Sequence, residues 1–252
     1  MKKSQLVILA MILYGIFLNI IPYVWSEYPF NPIRSAAGNT ISIFIYVGLV
    51  IVGILYKLEE SGLSTKELVL IAMYSTFVGV ARIPFAAIPS VQPCSFLIFC
   101  AGYVFGPLIG FSIAIITVLI SNMFLGHGPW SIYQMIGWGF FGVLGGLLNR
   151  SGDKPPNQKL NMVLGFLFGF AYGWLLNLWF FLNFVPEHTL RSFIATNMLN
   201  FYLDLLHAIA NVIFFRLFGD RTINVLYRYK NRFFFEKTEN ILPIIEEIRP
   251  LK

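Results

Sequence analysis

The sequence predicts an all-α integral membrane protein with eight transmembrane spans, and three observations predict it. Of 252 residues, 57% are hydrophobic and 12% charged, about half the charged share of an ordinary soluble domain. The apolar runs are long and unbroken, unlike the short alternating segments of an outer-membrane barrel. The basic residues fall between and after those runs, so the net charge of +6 reads as membrane topology and not as a nucleic-acid footprint.

The spans follow in order. Residues 5–25 form the first, behind Lys2 and Lys3. Its apolar run exceeds the roughly 7–15 residues of a signal-peptide core and no small-residue cleavage site follows closely, so a retained helix is expected. After Pro29, Pro32 and Arg34 comes the second, 39–56. A polar break at 57–65 leads to the third, 66–82, which ends where Pro84, Pro89 and Pro93 cannot continue a helix. The fourth, 95–106, is short, and Gly106 with Pro107 reverses the chain into the fifth, 108–124. A compact turn containing Gly126, His127, Gly128 and Pro129 precedes the sixth, 131–148, whose glycines allow close backbone approach. The seventh, 160–182, carries Gly165, Gly169 and Gly173 four apart, a small-residue ridge expected to pack against another helix. The eighth covers 192–219. The tail, 220–252, mixes basic and aromatic residues and is expected to lie amphipathically along the cytoplasmic membrane surface.

Orientation comes from the basic residues. With the N-terminus inside, Lys2, Lys3, Lys57, Lys66, Arg150, Lys154, Lys159 and the eight from Arg216 onward face the cytoplasm. That is 15 of 18, leaving Arg34, Arg82 and Arg191 outside. Both ends are therefore expected inside.

The eighth span is polar where a membrane helix should not be. Asn197, Asn200, Asp204, His207 and Asn211 recur at steps of three and four, which is one stripe of a helix. At ~1.5 Å per residue, Asp204 lies roughly 18 Å into the run, near the middle of a ~30 Å hydrocarbon layer. A carboxylate there costs about 2.5–3.5 kcal/mol, so it must face protein or water. Two readings remain open: a substrate or ion cavity, and a polar seam holding two helices together.

Other unusual residues gather at the same outer level. They are Arg82 with the Pro-rich connection, His127 and Trp130, then Tyr133, Gln134 and Trp138, and finally Trp174, Asn177 and Asn183. Aromatic faces, amides and a single acid are the materials of a small-molecule pocket, and a buried Gln134 amide needs a partner. Trp130 fits equally an interfacial anchor. Catalysis has little support. His127, His188 and His207 have no metal-ligand spacing, and no nucleophile elbow or phosphate-binding loop is present. Cys94 and Cys100 read as packing residues. Without a nucleotide site, the chain cannot drive uphill transport with ATP unaided.

The segment LVLIAMYSTFVGVAR followed by IPFAAIPSVQP, and then FCAGYVFGPLIGFSIAIITVLISNMFLGHGPWSIYQMIGWGFFGVLGGLL, resembles the substrate-binding S components of energy-coupling factor (ECF) transporters, the vitamin importers of bacteria and archaea. With the next two helices the resemblance implies a six-helix S-component core over 66–219. Residues 1–65 are then two additional helices, as in a cobalamin-type subgroup, and 220–252 the tail. It further implies a protein of the bacterial or archaeal plasma membrane that binds a vitamin from outside and reorients against a transmembrane coupling subunit bearing two ATPase subunits. Those partners use the ATP, and this chain needs no cofactor or nucleic acid.

Binding regions carried over from the family are Arg82 to Gln92, the loop with His127 and Trp130, and the last three spans with Tyr133, Gln134, Trp138, Trp174, Asn177, Asn197, Asn200 and Asp204. Within them Gln134, Asn200 and Asp204 are expected to supply hydrogen bonds, Trp138 and Trp174 apolar walls, and Arg82 a contact to an anionic group or an acid. The family's Ala-x-x-x-Ala contact with the coupling subunit maps onto Ala72 and Thr76. Ser75 and Gly79 offer a second small pair on an adjacent face. Cobalamin or a related corrinoid is the favoured substrate, with a flavin, pantothenate or a deazapurine precursor as alternatives. Outside transport, the rivals are an intramembrane enzyme using Asp204 with His207, and a membrane scaffold.

Overall fold

The computed structural model describes residues 64–128, 130–149, 156–187 and 189–239, with side chains as far as 232, and scattered positions between 3 and 62. Much of the two N-terminal spans, Pro129, the loop at 150–155, His188 and the tail from 240 lie outside the described residues, so the count of eight spans and its orientation extend beyond them. The described positions from 3 to 60 are helical. The Lys3 ammonium sits 5.6 Å from the Tyr56 ring centroid, which joins the start of the first N-terminal segment to the end of the second.

Seven further helices are described: α1 (Thr65–Phe85), α2 (Cys94–Phe105), α3 (Pro107–Leu125), α4 (Trp130–Leu148), α5 (Gln158–Phe184), α6 (Leu190–Leu199) and α7 (Phe201–Glu239). Four of them, α1, α3, α4 and α5, together with Phe201–Arg232 of α7, are long and apolar enough to cross a membrane. The molecule is all-α and multi-pass.

Local chemistry sets the helix ends. Ser64 caps α1 reciprocally: its hydroxyl accepts from the Glu67 N–H, and the Glu67 carboxylate accepts from the Ser64 N–H at 2.6 Å. Between α2 and α3, Gly106 takes φ 98°, a value that favours glycine, and Pro107 opens α3 where a missing N–H costs nothing. The Asn157 carboxamide caps α5 through Leu160 N–H, and Thr189 with Ser192 forms a second capping box at α6.

The structure departs from the sequence expectation in the last span. The run at 192–219 is two helices. At Asn200 (φ −93°, ψ 0°) the chain leaves the helix, and the Asn200 side chain donates to the Thr196 carbonyl at 3.0 Å. The amide thus competes with the helical ladder. Downstream, α7 does not stop at Gly219. Ile223 is fully buried and Leu226 nearly so, Asn149 donates to the Tyr227 hydroxyl, and Lys230 Nζ donates to the Val104 carbonyl at 2.8 Å. These contacts make residues 220–230 part of the packed body, where a separate surface segment was expected.

The core centres on α2, which is short and buried along nearly its whole length, with α3, α4 and α7 around it. Phe215 of α7 meets Phe96, Phe99 and Phe141 edge to face at 5.2, 5.2 and 6.4 Å. Tyr46 from the N-terminal region joins this cluster. The glycine ridge of α5 does pack as expected: a Cβ on Gly169 would meet the backbone of Ala208, and one on Gly165 the Phe215 ring.

That contact fixes a test. Gly169→Val is expected to destabilise the fold by about 1–3 kcal/mol through overpacking, read as a lowered midpoint of thermal unfolding in detergent. Leu167→Val, at a position 58% exposed, should leave the midpoint nearly unchanged.

Candidate binding site

The residues that converge come from three elements. On α5, Leu176, Asn177, Trp179 and Phe180 fall within one turn and share a face. On α4, Trp130 and Gln134 are a turn apart, and the α6–α7 break supplies Asn200. Together they line a recess of about 310 Å³. Trp130 and Trp179 meet edge to face at 5.3 Å, and Trp179 Nε1 is buried with no hydrogen-bond partner.

Behind the recess lies a buried polar network built on Arg82, which is 7% exposed. Its Nε donates to Gln92 Oε1 at 3.0 Å, and its Nη1 donates to Ser121 Oγ at 2.9 Å and Asn122 Oδ1 at 2.7 Å. The guanidinium carbon lies 5.1 Å from the centroid of the Trp138 ring, a cation–π contact. All these partners are neutral. Asn122 Nδ2 in turn donates to Gln134 Oε1 at 2.7 Å and Ser131 Oγ at 2.9 Å. Trp138 Nε1 donates to Ser95 Oγ at 3.0 Å, which lies 2.9 Å from His207 Nε2. An indole N–H can only donate, so the Ser95 oxygen accepts from Trp138.

A second polar seam joins α5 to α6 and α7. Asn177 Nδ2 donates to Asn197 Oδ1 at 3.1 Å and to Asp204 Oδ2 at 3.5 Å. The Asp204 carboxylate occupies the space that a side chain at Gly173 would fill. The break at Asn200 places Asp204 in the first turn of α7, where the helix dipole favours a negative charge. Asn211, further along the stripe, donates to the Gly165 carbonyl at 3.0 Å.

The structure therefore divides the expected site residues. Trp130, Gln134, Asn177 and Asn200 line the recess. Arg82, Gln92 and Trp138 belong to the network behind it, and Asn197 and Asp204 lie in the α5–α7 seam, outside the recess lining. Trp174 is 47% exposed and packs edge to face on Phe193 at 6.3 Å; one residue past inward-facing Gly173, it points out of the bundle, and Trp179 takes its place. His127 is exposed, and Tyr133 is half-buried outside the recess lining. Among the described residues Arg82 contacts no acid. Asp204 and His207 have different hydrogen-bond partners, Asn177 and Ser95.

On α1, Ala72 and Thr76 are exposed beside Met73 and Phe77. Ser75 and Gly79 are not on a second outward face. Ser75 is fully buried and donates to the Ile71 carbonyl, while a Cβ on Gly79 would press on Ile120 at 3.0 Å. Sequence reasoning missed Leu176, Trp179 and Phe180, which as apolar residues look the same whether they face lipid or a recess. It also missed Ser95, Ser121, Asn122 and Ser131, although Ser121-Asn122 at the end of an apolar helix was a usable signal.

Comparison with known proteins gives one result. The family model described as ECF transporter, substrate-specific component matches residues 66–221, which include the recess, both polar seams and α1. No curated protein and no solved structure matches the chain.

The network can be tested by removing its cation. Arg82→Leu leaves the buried Asn122 carbonyl oxygen and the half-buried Gln92 carbonyl oxygen without this donor, and is expected to cost about 3 kcal/mol in thermal unfolding. Arg191→Leu, at an exposed position, should have no such effect.

Proposed function

The chain belongs to the ECF transporter substrate-specific components, and from that membership we propose that the recess between α4, α5 and the α6–α7 break holds a small micronutrient for import. Members of this family are substrate-binding components of transporters and work with ECF coupling and ATPase modules. The recess is the observation that carries the assignment: aromatic walls and three amides from separate helices converge on one concavity. Trp130, Gln134, Asn177, Trp179 and Asn200 contact the substrate.

Volume favours the smaller substrates. A recess of about 310 Å³ lies at the low end of the roughly 300–1,000 Å³ that suits drug-sized ligands. A corrinoid, with its macrocycle, would extend well beyond this open recess, and a single small ring system such as a deazapurine precursor, or another compact vitamin, fits it more closely. For coupling, exposed Ala72 and Thr76 on α1 give the close approach that a helix of the coupling subunit needs. ATP is hydrolysed by the partner subunits, and the chain resides in the plasma membrane of a bacterium or archaeon.

Mass spectrometry of the molecule retained through gentle purification, with the co-purifying subunits, tests this reading. A compact micronutrient and a coupling subunit with ATPases are expected. Gln134→Ala and Asn200→Ala should each weaken its retention about tenfold, the worth of one good hydrogen bond. Ala72→Trp should keep retention and reduce cellular uptake at least tenfold. Unchanged uptake in Ala72→Trp would remove α1 as the coupling face, and unchanged retention in both alanine variants would remove the recess as the site.

A further inference from the structure

The recess has a definite hydrogen-bond polarity, because each of its amides is anchored to a group whose own role is unambiguous. Guanidinium only donates, so Arg82 Nη1 fixes Asn122 Oδ1 as the acceptor. Asn122 must then present Nδ2 to Gln134, whose Oε1 accepts at 2.7 Å. Gln134 is left to present Nε2, a donor. On the opposite side the anchor is a backbone carbonyl. Asn197 Nδ2 donates to the Phe193 carbonyl at 2.9 Å, so Asn197 Oδ1 faces Asn177 Nδ2. Asn177 Oδ1 is therefore the open atom. Asn200 donates its Nδ2 to the Thr196 carbonyl, and its Oδ1 is open too.

The recess thus offers a donor, Gln134 Nε2, and two acceptors, Asn177 Oδ1 and Asn200 Oδ1. Among the described residues no charged side chain lines it. Arg82, the cation behind it, is engaged by Gln92, Ser121, Asn122 and the Trp138 ring.

Resting on the assignment of the recess as the substrate site, we infer that its occupant is an uncharged planar ring bearing an acceptor beside a donor, as in a carboxamide or a ring lactam. The acceptor takes the Gln134 N–H, the donor meets Asn177 and Asn200, and the ring lies against the Trp130 and Trp179 indoles. A carboxylate is excluded, because it would face two carbonyl oxygens and be desolvated without a cation. Arg82 is a positioning residue: acting through Asn122, it decides which end of the Gln134 amide faces the recess.

Matched probes test this. The full chain in lipid nanodiscs is titrated calorimetrically with nicotinamide and nicotinate, and with indole-3-carboxamide and indole-3-carboxylate. At least one amide is expected to bind at least tenfold more tightly than its acid. Gln134→Ala should weaken that amide about tenfold by removing one N–H, and Trp174→Phe should leave it unchanged. Asn122→Asp gives Arg82 a carboxylate partner but offers Gln134 no donor. It should keep thermal stability while weakening the amide about tenfold, a shift that a purely structural role would not produce. Acids binding as tightly as amides, no binding of either amide at millimolar concentration, or unchanged affinity in Gln134→Ala would each overturn the inference. If a charged micronutrient is retained and its retention falls in Gln134→Ala, the importer reading stands and this inference alone fails.

Discussion

A guanidinium enclosed by apolar helices, with only neutral groups for company, is the constraint around which this molecule is arranged. Inside lipid every polar atom must find its partner within the protein, and a cation is the most demanding of them. Arg82 is met by amide and hydroxyl oxygens from the α1–α2 connection and α3, and by the face of Trp138 on α4. Satisfying it fixes three helices relative to one another, and it fixes the rotamer and the polarity of every amide bonded outward from it. Asn122, Gln134, Ser131 and the Trp138–Ser95–His207 chain are ordered as a consequence.

The negative counterpart, Asp204, is handled separately. It does not reach Arg82; it lies in the α5–α7 seam beside Asn177, with Gly173 making room. Interrupting the chain at Asn200 gives the carboxylate a helix start of its own and turns the Asn200 amide toward the recess. One local irregularity therefore both shelters a charge and shapes a binding surface. Had the helix run straight through, Asp204 would have been a mid-helix acid with a single amide beside it.

How much of this was legible follows from what a membrane does to sequence patterns. Long apolar spans, the glycine ridge of α5 and the inward polar stripe of Asn197, Asp204, His207 and Asn211 were readable, because polarity and small size mark protein-facing positions. Phase along purely apolar stretches was not, since lipid and protein interior accept the same side chains. That is why Trp174 was taken for a wall and Trp179 passed over, and why Ser75 and Gly79 were placed outside when they press on α3. The break at Asn200 was hidden because an asparagine fits both a polar stripe and a helix end. The run past Gly219 was hidden because its support comes from Val104 and Asn149, far away in the chain.

The backbone contact between Gly169 and Ala208 has a mechanical consequence. Two helices touching main chain to main chain have no compliant side-chain layer between them, so neither can slide along the other without first separating. Shear between packed elements, a common way for proteins to change shape, is closed to α5 and α7. Any rearrangement during the transport cycle must carry the two as a single stiff lever.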